Sequence, residues 1–556
     1  ANGPAKMAKP DHQLHIASWR YGGAHLPLRT HIQLERYRTP PTQPRFNQKL
    51  LDAAVREKKA VTQEVSQRVD QLLPELRKDP EHVWEDLNKA LTQAATEYFP
   101  TKPQRSSPTQ FLDPSEWDKR RVIARMPGQL KVLSQHSERL RMTLLLRLWR
   151  LIAQTHKQAK SLAKRKRQQR VNKLEAALAE AHAEKRKDGG HGFHQVVKQF
   201  KAWRPRPRVH LRSAEGGIMA PKEERDLLKI YSEELFSQGG NFPVREERAS
   251  FPVQAAEVEQ HLNTIKIGKA VPKGCAPISM WRLTSPTVHE HVAGALQQAA
   301  EGGPLHSHLT DAQVAWLPKP GKIPSHPKNL RPIGIISPEG KILAAIARTR
   351  LLPTLLDSLQ DVPQFGFVPG RGTDEAIAKA MSHMSKGREI IRCSRRQPGR
   401  GSQGIQCAGA LTLSVDLSKA VDTVNRAKLF EALESAQADP DLVTVIGKLH
   451  IDAAYRMALG EESFSVPTKR GIKQGCKLAP SLYSLLTGFI FKSMKGQLSL
   501  QALKEVLTMY ADDTLAKFTF LNETGLQTAL STCEALLDTL SQFGFAVNPD
   551  KSSILL

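Results

Sequence analysis

Three carboxylates stand where apolar strands end. Tyr510-Ala-Asp-Asp513 lies between Val506-Leu-Thr-Met509 and Thr514-Leu-Ala-Lys-Phe518, two apolar runs that flank a tight turn as a hairpin. Adjacent carboxylates repel each other, and apolar surroundings disfavour their ionised forms. A divalent cation removes that cost, although Asp-Asp pairs also occur in ordinary turns. Further upstream, the apolar run Leu411-Thr-Leu-Ser-Val415 ends in Asp416, in the pattern Asp416-Leu-Ser-Lys-Ala-Val-Asp422. Antiparallel packing of that strand beside the hairpin would bring Asp416 to Asp512 and Asp513. Three such carboxylates can hold two Mg²⁺ ions about 4 Å apart, an arrangement suited to phosphoryl transfer.

Two other segments carry polar groups in a usable setting. Arg470-Gly-Ile-Lys-Gln-Gly-Cys-Lys-Leu-Ala-Pro480 precedes a helix. Its glycines allow close backbone approach to a ligand, and Gln474 offers a donor and an acceptor. Leu317-Pro-Lys-Pro-Gly-Lys322, followed by Asn329-Leu-Arg-Pro332, puts Lys319 and Arg331 on a turn and the next strand, where they can grip a triphosphate.

The elements that must position these residues follow from periodicity. Val314–Leu317, Ile333–Ile336 and Leu411–Val415 read as strands. Lys341–Leu356, Arg426–Leu433, Leu482–Lys492 and Leu526–Phe543 read as helices, with a final strand after the last. This order gives an α+β fold with an antiparallel sheet. Residues 46–250 differ: a helical run from Phe46 to Tyr98, a second from about Pro114 to Lys187 with a basic stretch Lys164-Arg-Lys-Arg167, then a mixed, linker-like stretch. The first half of the second run is read as core and the second half as a solvated stalk. Residues 1–45 show little periodicity.

With 556 residues the chain has room for two to four domains. Its net charge of +26 calls for a polyanionic partner, because Lys and Arg gain affinity by displacing counterions from phosphates. The five cysteines, at 275, 393, 407, 476 and 533, are odd in number, and none lies at metal-ligand spacing from a histidine. That reading favours an intracellular compartment, nucleus or cytoplasm, over secretion, and argues against zinc. The apolar stretch Met142–Ala153 is too short for a membrane span and carries two arginines.

In order and spacing, these motifs resemble the reverse transcriptases of non-LTR (LINE-type) retrotransposons. Gln364-Phe-Gly-Phe-Val-Pro-Gly-Arg-Gly-Thr373 is similar to the family's second finger motif, and Gly544-Phe-Ala-Val-Asn-Pro-Asp-Lys551 to a later palm motif. Gly268–Pro277 resembles a diverged N-terminal extension, and Val83–Tyr98 resembles the linker that joins endonuclease to polymerase. The resemblance implies right-hand fingers and palm over 251–556, preceded by a helical basic linker over 46–250. Residues 1–45 would be an irregular segment, with His25 a trace of an endonuclease. It implies an RNA-directed DNA polymerase that uses an RNA template, a DNA primer or target and dNTPs. Asp416, Asp512 and Asp513 would bind two Mg²⁺ ions, with Mn²⁺ as an alternative. Lys319 and Arg331 would contact the triphosphate, Gln474 would sit near nucleotide and template, and Lys551 would be the general acid.

Three departures qualify the resemblance. Val421 stands where the family carries an aromatic side chain that excludes a ribose 2′-hydroxyl. Arg388–Cys407 reads as an inserted basic loop. The chain ends shortly after Lys551, so the family's thumb is expected to be missing; a fragment of that kind should bind nucleic acid but extend primers poorly. The alternatives are another palm polymerase and a catalytically decayed copy that at most binds RNA.

Overall fold

The computed structural model describes residues 46–75, 82–100, 122, 138–188, 210–212, 219–239, 242–243, 248–395, 407–459, 462–494 and 498–556. The 1–45 segment with His25, most of 101–137 and the centre of the basic insertion lie outside the described residues. Two four-stranded sheets carry the polymerase-like part. One has the order β2-β1-β4-β5, from β1 (Ala312–Pro318), β2 (Leu330–Ile336), β4 (Ala454–Leu459) and β5 (Glu462–Pro467). The other has the order β6-β7-β3-β8, from β3 (Gly409–Val415), β6 (Leu507–Tyr510), β7 (Asp513–Phe520) and β8 (Ser553–Leu555).

The second sheet is antiparallel throughout. In β3 the side chains alternate between buried and half-buried positions, as period-2 patterning demands of a strand with one face on a core. The first sheet departs from the antiparallel expectation: β1 meets β4 in parallel, Ala312 opposite Tyr455. The β4–β5 hairpin itself escaped the sequence reading, because Ala454–Leu459 mixes polar and apolar residues without strong alternation.

Two helices contribute most heavily to the main core. Pro338–Ser358 begins at Ser337, whose hydroxyl accepts from the Gly340 amide, with proline at its first position. Ile342, Leu343, Ile346 and Leu351 are buried along it. Ala479–Ser493 buries Leu482, Tyr483, Leu485, Leu486, Ile490 and Phe491. Ala479–Ser493 is buried almost all round, as a helix without a polar face must be, whereas Pro338–Ser358 is buried chiefly over its first half.

The same apolar cluster extends into the upstream helices. Leu51, Val65, Trp84, Leu87 and Leu91 are buried together with residues of the Pro338–Ser358 helix and of β7. The helix Pro221–Phe236, read from sequence as part of a linker, packs Leu228 under Leu330 of β2, and Leu235 and Phe236 against Tyr455 and Met457 of β4. The long helix Glu138–Asp188 behaves differently. Met142, Leu145, Leu146, Trp149 and Ile152 are exposed on it, so its first half is not core as expected. The Arg388–Cys407 loop is corrected in part: the helix Thr373–Arg395 continues through its first residues.

Trp84 is 2% exposed within this cluster. Trp84→Ala should therefore lower the unfolding free energy by about 3–5 kcal/mol, measured by chemical denaturation. An unchanged midpoint would show that the upstream helix is not part of the cooperative core.

Candidate active site

The hairpin turn between β6 and β7 is held in an unusual backbone. Ala511 has φ +55°, in the left-handed region that side chains rarely enter. Gln364, fully buried, clamps it. Its Oε1 accepts from the Ala511 amide at 2.9 Å and from the Gly366 amide at 2.8 Å, while its Nε2 donates to Thr487 Oγ1 at 3.0 Å and to the Ala511 carbonyl at 3.2 Å. Gly366 lies so close that a Cβ there would stand 2.2 Å from the Ala511 nitrogen. The Gln364-Phe-Gly segment is thus a template for the turn that presents Asp512 and Asp513. Sequence reasoning recognised the motif and missed that contact, because nothing local ties it to a turn nearly 150 residues later.

Register places the third carboxylate. Val415 of β3 pairs with Thr514 of β7, so Asp416 emerges beside Asp513. Asp513 has its carboxyl pushed above the usual range, first by burial and then by the charges of Asp512 and Asp416, with Lys551 opposing. Asp416 is held on several sides. Its amide donates to Ser552 Oγ at 3.1 Å, its carbonyl accepts from the Asn548 amide at 2.8 Å, and its carboxylate accepts from Asn548 Nδ2 at 3.2 Å. Lys551 Nζ reaches both of its oxygens, at 3.2 and 3.1 Å. The Val-Asn-Pro-Asp-Lys551 segment therefore brackets Asp416 from the edge of the sheet.

A cluster of cations gathers around Lys319, with Lys551 linking it to Asp416 and Lys319 and Lys419 acting on Asp422. Lys319 has its ammonium pulled below its ordinary value by burial and then by Lys322, Arg331, Lys419 and Lys551. Those neighbours come from the β1–β2 turn, β2 and the segments after β3 and before β8, so the fold gathers cations from across the sequence. Lys319 Nζ donates to the Lys328 carbonyl at 2.8 Å, and Arg331 stands exposed on β2. Crowded cations repel, and a polyphosphate would relieve that repulsion.

Gln474 does not stand free. Its Nε2 donates to Asp422 Oδ1 at 2.9 Å, and its carbonyl accepts from Gly334 of β2 at 2.8 Å. The glycines around it admit backbone and not, as sequence suggested, a ligand. A Cβ on Gly475 would meet the Gly334 carbonyl at 2.4 Å, and one on Gly471 the Asp422 carbonyl at 2.4 Å. Val421 is half-buried at the same junction, its carbonyl accepting from Ile472 at 3.0 Å. Arg426, buried, secures the loop: Nε donates to the Gly471 carbonyl at 3.0 Å and Nη1 to the Thr468 carbonyl at 2.6 Å. Tyr231 arrives from the upstream helix Pro221–Phe236, with Lys419 Nζ 4.6 Å above its ring. Arg426 carried a sequence signal only as part of a helix, and Tyr231 carried none.

The comparisons with known proteins fit this geometry. Residues 317–556 match the family described as reverse transcriptase (RNA-dependent DNA polymerase). The chain is 25% identical over 352 residues to the transposon TX1 uncharacterized 149 kDa protein of Xenopus laevis, which covers 59% of this chain and 25% of that one. It is 25% identical over 255 residues to the retrovirus-related Pol polyprotein from the type-2 retrotransposable element R2DM of Drosophila melanogaster, covering 45% and 22%. This part of the chain is a reverse transcriptase domain of the non-LTR retrotransposon kind. The chain spans about a quarter of the length of these relatives. Apo telomerase from Candida tropicalis, truncated from its C-terminal domain, aligns at 13% identity and TM-score 0.34 over 49% of this chain and 56% of that one, a likeness too slight to argue from. Among the described residues, no helix is long and apolar enough to cross a membrane.

Asp422 gives the site a titration of its own. It is 4% exposed, and its carboxyl is pushed up to about 7 by burial, with Gln474, Lys419 and Lys319 opposing. A carboxyl raised from an ordinary 3.8 binds more protons folded than unfolded. The fold therefore loses stability as pH rises from about 4 to about 7. Asp422→Asn should flatten that fall in denaturant titrations across the window. The same slope in the variant would mean that another group titrates.

Proposed function

We propose that this chain carries out RNA-directed DNA synthesis, adding deoxynucleotides to a primer 3′-hydroxyl on an RNA template. The observation that carries the reading is the convergence of Asp416, Asp512 and Asp513, with Lys551 paired to Asp416, inside a reverse transcriptase domain. The partners are an RNA template, a DNA primer or target and dNTPs, in keeping with the charge of +26. We assign fingers and palm to 251–556 and a helical, basic accessory region to 46–250.

The donor set suits Mg²⁺, with Mn²⁺ as the alternative: hard carboxylate oxygens, among which burial and then the neighbouring carboxylates push Asp513 upward. Asp416, Asp512 and Asp513 would hold two such ions. When bound, the ions would polarise the attacking hydroxyl and neutralise charge on the triphosphate. The residues of the chain do the rest. Lys319 and Arg331 grip the triphosphate and set it in line. Lys551, kept at the reaction centre by its pairing with Asp416, hands a proton to the leaving pyrophosphate. Gln474, oriented by Asp422, borders the nucleotide and its template base. Val421 lies beside the sugar, where its small side chain leaves room for a 2′-hydroxyl.

Primer extension on an RNA template tests the reading. Asp512→Ala should lower extension by roughly 10²–10³-fold or more while RNA binding persists. Val421→Phe should depress ribonucleotide relative to deoxynucleotide incorporation by roughly tenfold or more. Equal extension by Asp512→Ala would sink the catalytic assignment. Unchanged sugar selectivity in Val421→Phe would sink the role of Val421 alone.

A further inference from the structure

A second chemical centre lies away from the carboxylates. Cys275, His308 and Glu339 each offer a ligand atom, and these atoms lie within 4.8 Å of one another. They come from three separate segments: the turn before the Ile278–Trp281 helix, the Ser307–Thr310 helix and the first turn of Pro338–Ser358. The chain separations, 33 and 31 residues, match no compact metal-binding motif, which is why counting spacings pointed away from a metal.

Two details separate this trio from an ordinary ion pair. His308 Nε2 and Glu339 Oε2 are 3.1 Å apart, yet both are buried atoms without an aligned hydrogen-bond partner. Glu339 is 0% exposed, so the lack of an aligned hydrogen bond at its Oε2 leaves that oxygen with only the His308 contact. A cation between the two groups and the Cys275 thiol would engage all three atoms. The other atoms are already set. Asn88 Nδ2 donates to Glu339 Oε1, and Asn88 Oδ1 accepts from the Ala276 amide at 2.7 Å, next to Cys275. The Trp84 ring lies parallel to the His308 ring at 6.3 Å between centroids. Such outer contacts are the kind that fix the orientation of metal ligands.

We propose that Cys275, His308 and Glu339 bind a zinc ion, beside the point where Asn88 of the upstream helix Val83–Tyr98 hydrogen-bonds Glu339. Thiolate, imidazole and carboxylate together suit Zn²⁺ and disfavour Mg²⁺, which takes oxygen ligands and water. Tetrahedral ligand atoms at zinc bond lengths stand about 3.4–3.8 Å apart, so shifts below about 1 Å complete the site. The fourth position opens on a cavity of about 280 Å³, lined by Lys273, Ser307, Asp311, Gln313 and Arg456 among others, which gives solvent access to the ion. Of the nearby cations, Arg456 is neutralised by a carboxylate, while Lys341 keeps its charge. Arg456 Nε is bound to Asp311 at 2.7 Å, and Lys341 Nζ donates to the Ala270 carbonyl at 3.1 Å. The ion would thus serve the junction between accessory region and catalytic unit, distinct from the Mg²⁺ ions of the reaction.

Metal content and cobalt substitution decide the matter on the full 556-residue chain. Purified protein should retain one zinc per chain after dialysis against a weak chelator. Replacement by Co²⁺ should give a thiolate-to-cobalt charge-transfer band in the near ultraviolet and the strong visible bands of a tetrahedral ion. Cys275→Ser should abolish the charge-transfer band, and His308→Gln should weaken Co²⁺ binding at least about tenfold, with folding followed by circular dichroism. A wild-type chain that holds no zinc and shows no thiolate band overturns the proposal without reference to any variant. So does a band that survives in Cys275→Ser, which would place the ion on another cysteine.

Discussion

Like charges packed at the end of a sheet are the constraint around which this molecule is arranged. Burial and the charges of Asp512 and Asp416 push the Asp513 carboxyl upward, and nothing intrinsic to a hairpin keeps such groups together. The structure supplies the holding force from outside the hairpin. Gln364 closes hydrogen bonds on both sides of Ala511, Gly366 leaves no room for the turn to shift, and β8 brings Asn548, Lys551 and Ser552 around Asp416. Behind these contacts stands the helix Ala479–Ser493, whose lack of a polar face leaves it no alternative but the centre of the core.

Much of this was legible in the sequence, for physical reasons. Strands with one buried face carry a period of two, and the carboxylates interrupt that period where each strand ends, so β3, β6 and β7 and the adjacency of their ends could be read directly. The helices read from Lys341 and from Leu482 each begin three residues earlier, at Pro338 and Ala479. The hidden parts depend on long-range packing. The parallel meeting of β1 with β4, the seat of Tyr231 beside Lys419 and the clustering of Cys275 with His308 and Glu339 join segments far apart in the chain. Periodicity carries no information about such pairings.

The glycines illustrate how one residue type can be read correctly and its partner wrongly. Gly471 and Gly475 both adopt positive φ, at +79° and +109°, and both permit an approach that a side chain would block. The approach is to the backbone of Asp422 and of Gly334, because the loop must thread between β2 and the segment after β3. Their requirement is architectural, and it reaches the chemistry through Gln474 and Asp422, which the same threading brings into hydrogen-bond contact.

That threading has a mechanical consequence. The amide of Gly334, in the middle of β2, is tied to the Gln474 carbonyl, while Gly475 sits against the Gly334 carbonyl with no slack. The strand that carries Arg331 and the loop that carries Gln474 are therefore riveted, and neither can slide or rotate past the other without breaking a buried backbone contact. Any opening and closing of the cleft must flex at other points, and the two move through it as a single lever.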